Sequence, residues 1–82
     1  MTFQSMTDHL RSAGYRLTVP RQLILAEIAE TEGHFTADSL HAALAAQGAA
    51  VDLSTVYRTL ELLTALGLLH PLHGTAPAEY ER

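Results

Sequence analysis

Asp52-Leu53-Ser54-Thr55-Val56-Tyr57-Arg58-Thr59-Leu60, continuing to Gly67, carries two patterns on one segment. Leu53, Val56, Leu60 and Leu63 recur at spacings of three, four and three, which stacks them on one face of an α-helix. Asp52 is placed to cap that helix and Gly67 to end it, so the helix is expected from Asp52 to Leu66. Ser54, Tyr57, Arg58 and Glu61 stand at i, i+3, i+4 and i+7 and form a second stripe on the opposite face. One side belongs to a core, and the other offers hydroxyls, a phenol and a guanidinium to whatever lies outside.

The rest of the chain surrounds this segment with more helix. Phe3, Met6, Leu10 and Ala13 share one helical face that Gly14 terminates. After the connector Tyr15 to Leu17, Thr18 caps a second helix that tolerates Pro20 in its first turn, with Ile24, Leu25 and Ile28 inward and Gly33 closing the segment. Thr36 caps a third helix, with Asp38 in its first turn and Leu40 and Leu44 towards the core before Gly48. Beyond Gly67 the pattern changes. Leu68, Leu69 and Leu72 are interrupted by Pro71, and the turn-rich link His73 to Pro77 precedes Ala78 to Arg82, so a hairpin is expected. Pro71 cannot donate a ladder hydrogen bond and places its strand on an edge, unless the strand begins after it. The expected architecture is α+β and mainly α: a winged helix-turn-helix of four helices followed by a two-stranded β-hairpin wing, one domain over residues 1–82.

Composition bounds the function. A chain of 82 residues that is 48% hydrophobic and 17% charged has one core. Folding at this size buries only about 60% of the unfolded surface, which leaves no room for a catalytic cleft between lobes. Cys is absent, so a disulfide framework and a thiolate metal site within these residues are excluded, and a reducing cytoplasm is the expected location. No apolar run approaches the roughly 20 residues of a membrane span, and residues 1–10 lack the layout of a signal peptide, so no membrane partner is expected. The net charge of -4 argues against indiscriminate binding to polyanions. The charge is unevenly spread, however: His9 to Ala26 contains no acid and carries Arg11, Arg16 and Arg21.

The outward stripe of the fourth helix suits a nucleic-acid groove. Arg makes bidentate contacts to guanine, hydroxyls meet donors or acceptors, and an aromatic ring can lie on a thymine methyl. The competing reading makes Tyr57 and Arg58 an amphipathic fringe that shields the core. No nucleophile-base pair, glycine-rich phosphate loop or paired carboxylate on rigid elements is evident, so neither an enzyme nor a small-molecule substrate is expected.

Three segments sharpen this. Gly14-Tyr15-Arg16-Leu17-Thr18-Val19-Pro20-Arg21, Gly33-His34-Phe35-Thr36-Ala37-Asp38-Ser39-Leu40 and Ser54-Thr55-Val56-Tyr57-Arg58-Thr59-Leu60, the last followed by Leu66-Gly67-Leu68-Leu69, resemble the amino-terminal domain of the ferric uptake regulator family. The resemblance implies a bacterial transcriptional regulator, usually a repressor, that binds a palindromic double-stranded DNA operator as a homodimer when its regulatory metal is bound. It implies control of metal-ion uptake or homeostasis, and a carboxy-terminal dimerisation and metal-binding domain that these residues do not contain. A metal-independent winged-helix module binding protein or RNA is the alternative.

The resemblance also places residues. Tyr57 and Arg58 match recognition-helix positions that meet bases and backbone, with Ser54 and Thr55 beside them. Arg16 matches a basic position reaching towards the minor groove, and Arg21 a basic position assigned either to phosphate contact or to holding the second helix. His34 and Glu81 match ligands of the regulatory metal, a divalent Fe, Mn or Zn ion, with the remaining ligands expected outside this chain. Two ligands do not close a site, so tight metal binding by this chain alone is not expected. Glu81 without Cys leans towards iron or manganese. His70 and His73, three apart around Pro71, read as surface residues near a turn, and His9 and His41 as helix-surface residues.

Overall fold

A computed structural model describes residues 2–72, 74 and 78–82. In chain order these form α1 (Phe3–Ser12), α2 (Val19–Glu30), β1 (Phe35–Thr36), α3 (Ala37–Ala46), α4 (Leu53–Ala65), β2 (His70–Leu72) and β3 (Glu79–Glu81). Of the expected link between the hairpin strands, positions 73 and 75–77 lie outside the described residues.

Short polar side chains start the helices. Thr2 and Thr36 each accept from the backbone N–H three residues on, at 3.1 and 3.0 Å, while the hydroxyls of Ser5 and Ser39 accept from the cap residues' own N–H groups. Two orphan donors per helix start are satisfied in this way. Thr18 Oγ1 accepts from the Arg21 N–H, and Pro20 occupies the first turn, where no N–H is missed. Asp52 departs from expectation: it is the N-cap residue of α4, but its carboxylate makes no capping hydrogen bond. Its carbonyl accepts from Val56 N instead, and its charge still complements the positive end of the helix dipole.

At the other end of α4, Gly67 has φ +77°. That conformation lets Leu68 N–H reach Leu63 O at 2.9 Å and Gly67 N–H reach Thr64 O at 3.0 Å, which turns the chain out of the helix and into β2.

Helix α1 packs on α2, α2 on α3 and α4, and α3 on α4. Met6, Leu10, Ile24, Leu25, Ile28, Val56, Leu60 and Leu63 are each 0% exposed at the centre of this arrangement. Phe3 and Ala13, expected on the buried face of α1, are exposed instead. They sit at the two extremities of the helix, and Ala13 is its C-cap residue rather than part of its stripe. Thr7 and Thr59 are buried with their hydroxyls donating to Gln4 O and Thr55 O, both at 2.9 Å. No buried side-chain N or O among the described residues lacks a partner.

The expected hairpin is larger by a strand. The sheet order is β1-β3-β2, antiparallel throughout, with Phe35 opposite Tyr80 and Thr36 opposite Glu79 on one side of β3. On its other side His70 faces Glu81, Pro71 faces Tyr80 and Leu72 faces Glu79. The edge position of β2 accommodates Pro71, as expected. Strand β1 forms because buried Phe35 stacks on Tyr80, with ring centroids 6.0 Å apart. The architecture is mainly α with a three-stranded antiparallel wing.

Leu60→Ala deletes a fully buried side chain at the centre of the core, and urea denaturation should show a loss of about 2–5 kcal/mol. Glu61→Ala, on the exposed face of the same helix, should stay within about 0.5 kcal/mol.

Candidate nucleic-acid interface and metal half-site

Burial of Val56, Leu60 and Leu63 sets the rotation of α4, and that rotation exposes Ser54, Tyr57 and Arg58, with Thr55 half-buried between the faces. Tyr57 is 39% exposed, too open for a core aromatic. Arg58 is folded back along its own helix: Nη2 donates to Ser54 Oγ at 3.3 Å and Nε to Ser54 O at 3.4 Å. Its guanidinium is therefore held towards the amino-terminal end of α4.

Arg21 comes from the first turn of α2. Its Nη1 donates to Arg16 O at 2.9 Å, and its guanidinium carbon lies 5.9 Å from the centroid of the Tyr15 ring. One of the two roles left open by the sequence is thus visible, because Arg21 holds the connector before α2 against the helix. Gln22 Nε2 supports the same connector by donating to Leu17 O at 3.0 Å. Arg16 is exposed on that connector. Thr18, Pro20, Arg21, Thr55, Arg58 and Thr59 together line a cleft of about 310 Å³ between α2 and α4. It contains two cations, three hydroxyls and no acid. Thr18 and Thr59 were not evident as site residues from sequence, since each reads first as a helix cap or a core position.

The sheet brings the other two candidates together. Phe35 and Tyr80 face the core, and period-two alternation sends their neighbours the opposite way. His34 Nε2 lies 3.3 Å from Glu81 Oε2, and His34 Nδ1 lies 3.9 Å from Glu79 Oε1. Metal–ligand bonds of about 2.0–2.2 Å to imidazole nitrogen and carboxylate oxygen place two such donors roughly 3.0–3.4 Å apart around one ion. The His34–Glu81 pair fits that requirement, and its donor types suit zinc, iron or manganese. It is half a site, since no group of three or more His, Cys, Asp or Glu among the described residues is arranged to hold a metal.

Glu79 was not singled out as a ligand from sequence. The Glu-x-Glu spacing in a strand was the available signal, because it puts both carboxylates on one face. Arg82 was missed altogether. Its Nη1 donates to Ala29 O at 3.1 Å and its Nη2 to Thr31 O at 2.7 Å, fastening the end of β3 to the carboxy-terminal end of α2. His9 and His70 are exposed, His41 is half-buried, and His73 lies outside the described residues.

The sequence model of the ferric uptake regulator family matches residues 12–82, which include the Arg16–Arg21 connector, the His34 strand, α4 and β3. The chain belongs to the ferric uptake regulator family. It is 43% identical over 63 residues to the ferric uptake regulation protein of Brucella abortus, covering 77% of this chain and 45% of that protein. It is 30% identical over 73 residues to the peroxide-responsive repressor PerR of Staphylococcus aureus, covering 88% of this chain and 49% of that one. Among solved structures, the ferric uptake regulator from Pseudomonas aeruginosa with manganese superposes with a TM-score of 0.82 at 35% identity, over 92% of this chain and 57% of that one. The chain spans about half the length of these curated relatives. Within the family fold, the polar face of α4 and the His34–Glu81 pair occupy separate parts of the domain, joined through α2 and the sheet.

Arg82→Ala removes two donors to carbonyls at the end of α2. Hydrogen exchange should quicken for the β3 amides and for the Phe35–Thr36 segment, with a stability loss of about 1 kcal/mol.

Proposed function

We propose that the chain is the DNA-binding domain of a metal-responsive transcriptional regulator, acting as a repressor of metal-ion uptake or homeostasis genes in the cytoplasm. On this reading residues 1–82 are one winged-helix unit. Dimerisation, and the remaining metal ligands, come from a domain beyond residue 82. The operator is palindromic double-stranded DNA, and the helix Asp52 to Leu66 enters its major groove. The observation that carries this is the exposed face of α4, where Ser54, Tyr57 and Arg58 stand clear of a fully buried Val56, Leu60 and Leu63. Family membership and the acid-free run from His9 to Ala26 support it.

Each residue has a role in this scheme. Tyr57 presents a ring edge and a hydroxyl, Ser54 and Thr55 add hydroxyls, Arg58 supplies a planar fork of donors, Arg16 reaches towards the minor groove, and Arg21 meets the backbone beside α4. His34 Nε2 and Glu81 hold one side of a divalent ion, iron or manganese in preference to zinc, while Glu79 stands by the other ring nitrogen of His34. Such an ion supplies ligand-bridging charge and geometry rather than catalysis, fixing the angle between this domain and a dimer core and hence the spacing of two recognition helices. No membrane or small-molecule partner enters the scheme, and none of the described helices is long and apolar enough to cross a membrane.

Four arginines, Arg11 on α1 with Arg16, Arg21 and Arg58, give a slope of log K against log salt of only about -3 to -4 if each neutralises one phosphate. A single copy therefore binds duplex weakly and with modest salt dependence. Fluorescence anisotropy with an inverted-repeat duplex at low salt tests the scheme. Tyr57→Ala and Arg58→Ala should each weaken binding about 5- to 150-fold while leaving the helical circular dichroism intact. Unchanged affinity in both variants, or preference for single-stranded RNA or a protein ligand, contradicts it. Because the half-site lacks a third donor, adding a chelator should leave the duplex affinity of this 82-residue chain within about twofold.

A further inference from the structure

We propose that Glu79 is a positioning residue of the metal half-site: its carboxylate keeps the ring proton of His34 on Nδ1, which leaves Nε2 as the nitrogen that meets the ion beside Glu81. This rests on the reading of His34 and Glu81 as metal ligands, and gives Glu79 the task of choosing between the two ring nitrogens.

Strand register brings the three side chains together. Phe35 stands opposite Tyr80 and Thr36 opposite Glu79. Continued by one residue, that register sets His34 across from Glu81, with Glu79 on the diagonal, where a long side chain still reaches. Glu79 and Glu81 are two apart in β3 and share a face. Because β3 is the central strand, Glu79 is paired with Thr36 on one side and Leu72 on the other, so the backbone beneath its carboxylate is fixed from two directions.

Distance then separates the two carboxylates by role. Two donors on one ion stand roughly 3.0–3.4 Å apart. His34 Nε2 and Glu81 Oε2 meet that requirement at 3.3 Å, whereas His34 Nδ1 and Glu79 Oε1, at 3.9 Å, are too far apart to share an ion. A neutral imidazole carries one proton, and the nitrogen that binds a metal must be the other one. Glu79 approaches the ring by Nδ1, and a negative charge there favours the form with its proton on that nitrogen. A carboxylate so placed fixes the ring form of a metal-binding histidine and raises the basicity of the ligating nitrogen, an effect of about 10- to 100-fold in metal affinity. The side chains of His34 and Glu79 are 52% and 36% exposed, and solvent screening sets the effect here at the lower end, about tenfold. Glu81 draws the ring proton towards Nε2 from its shorter distance, so the influence of Glu79 is expressed when the Glu81 carboxylate is engaged by an ion or removed.

The test uses the 82-residue chain with isotope-labelled histidine, and reads the His34 ring nitrogens by NMR at alkaline pH, where imidazole is neutral. Without metal, Glu81→Ala should carry the His34 proton on Nδ1, and adding Glu79→Ala should move it towards Nε2. A proton on Nε2 in Glu81→Ala overturns the proposal. Zinc chloride, titrated to millimolar concentration into the chain with both glutamates, should bind Nε2 and leave the proton on Nδ1. Glu79→Ala should weaken zinc binding at His34 about tenfold and let both nitrogens take the ion. Glu79→Gln, whose amide oxygen still accepts from Nδ1–H, should restore binding through Nε2 alone; a merely structural role for Glu79 would leave the choice of nitrogen untouched in all three chains. Zinc on Nδ1 in the unsubstituted chain overturns the proposal, and so does a ring that takes zinc identically with and without Glu79, the metal reading surviving in both cases. A His34 ring that zinc leaves unmoved contradicts the metal reading, and the proposal with it.

Discussion

Val56, Leu60 and Leu63 are fully buried along one face of α4, and their burial fixes the rotation of the helix about its axis. At 3.6 residues per turn the side chains between them have only the outside to occupy, and Ser54, Tyr57, Arg58 and Glu61 are exposed there. Fully burying one such aliphatic side chain contributes about 1.5–3 kcal/mol, far more than any exposed polar contact on the same helix returns. Rotation of α4 to hide Tyr57 would sacrifice several of those terms at once. The core therefore presents the polar face of α4 outwards, and the placement of Arg21 beside it follows from the packing of α2 on the same core.

The sheet plays the corresponding part at the other end of the domain. Phe35 stacked on Tyr80 anchors a two-residue strand to β3, and the alternation of the strands then turns His34, Glu79 and Glu81 to the opposite face. Arg82 ties β3 to the last carbonyls of α2, so the strand that carries Glu81 is hydrogen-bonded to the end of the helix that carries Arg21. A change in the position of β3 is passed to α2 through hydrogen bonds rather than through a loop. On the proposed function, that continuity is the physical route from a metal held at His34 and Glu81 to the side of the domain that carries Arg21.

Helices α1 and α4 were legible in the sequence because their apolar residues repeat at three and four over two or more turns, and α2 and α3 because Thr18 and Thr36 precede their apolar residues and glycines follow them. The outward stripe of α4 followed from the same arithmetic. Strand β1 was not legible: two residues are too short to show alternation, and Thr36 signals a helix start so strongly that its strand role is hidden. Asp52 looked like a side-chain cap because its residue type favours one, yet its carboxylate makes no such bond, and no local pattern distinguishes the two outcomes. Glu79 reads as one more surface acid until the register sets it beside His34. The Arg82 contacts span more than fifty residues of sequence and leave no periodic trace. Family resemblance supplied His34 and Glu81, which spacing alone did not mark as partners.

The central claim is that the face of α4 left over by core packing is the face that meets duplex DNA. Mapping backbone amide shifts of the chain during titration with an inverted-repeat duplex tests it most directly. The account predicts the largest perturbations at Ser54, Thr55, Tyr57 and Arg58, with a second group from Arg16 to Arg21. Perturbations centred on α1 and α3, with α4 silent at saturating duplex, would contradict it.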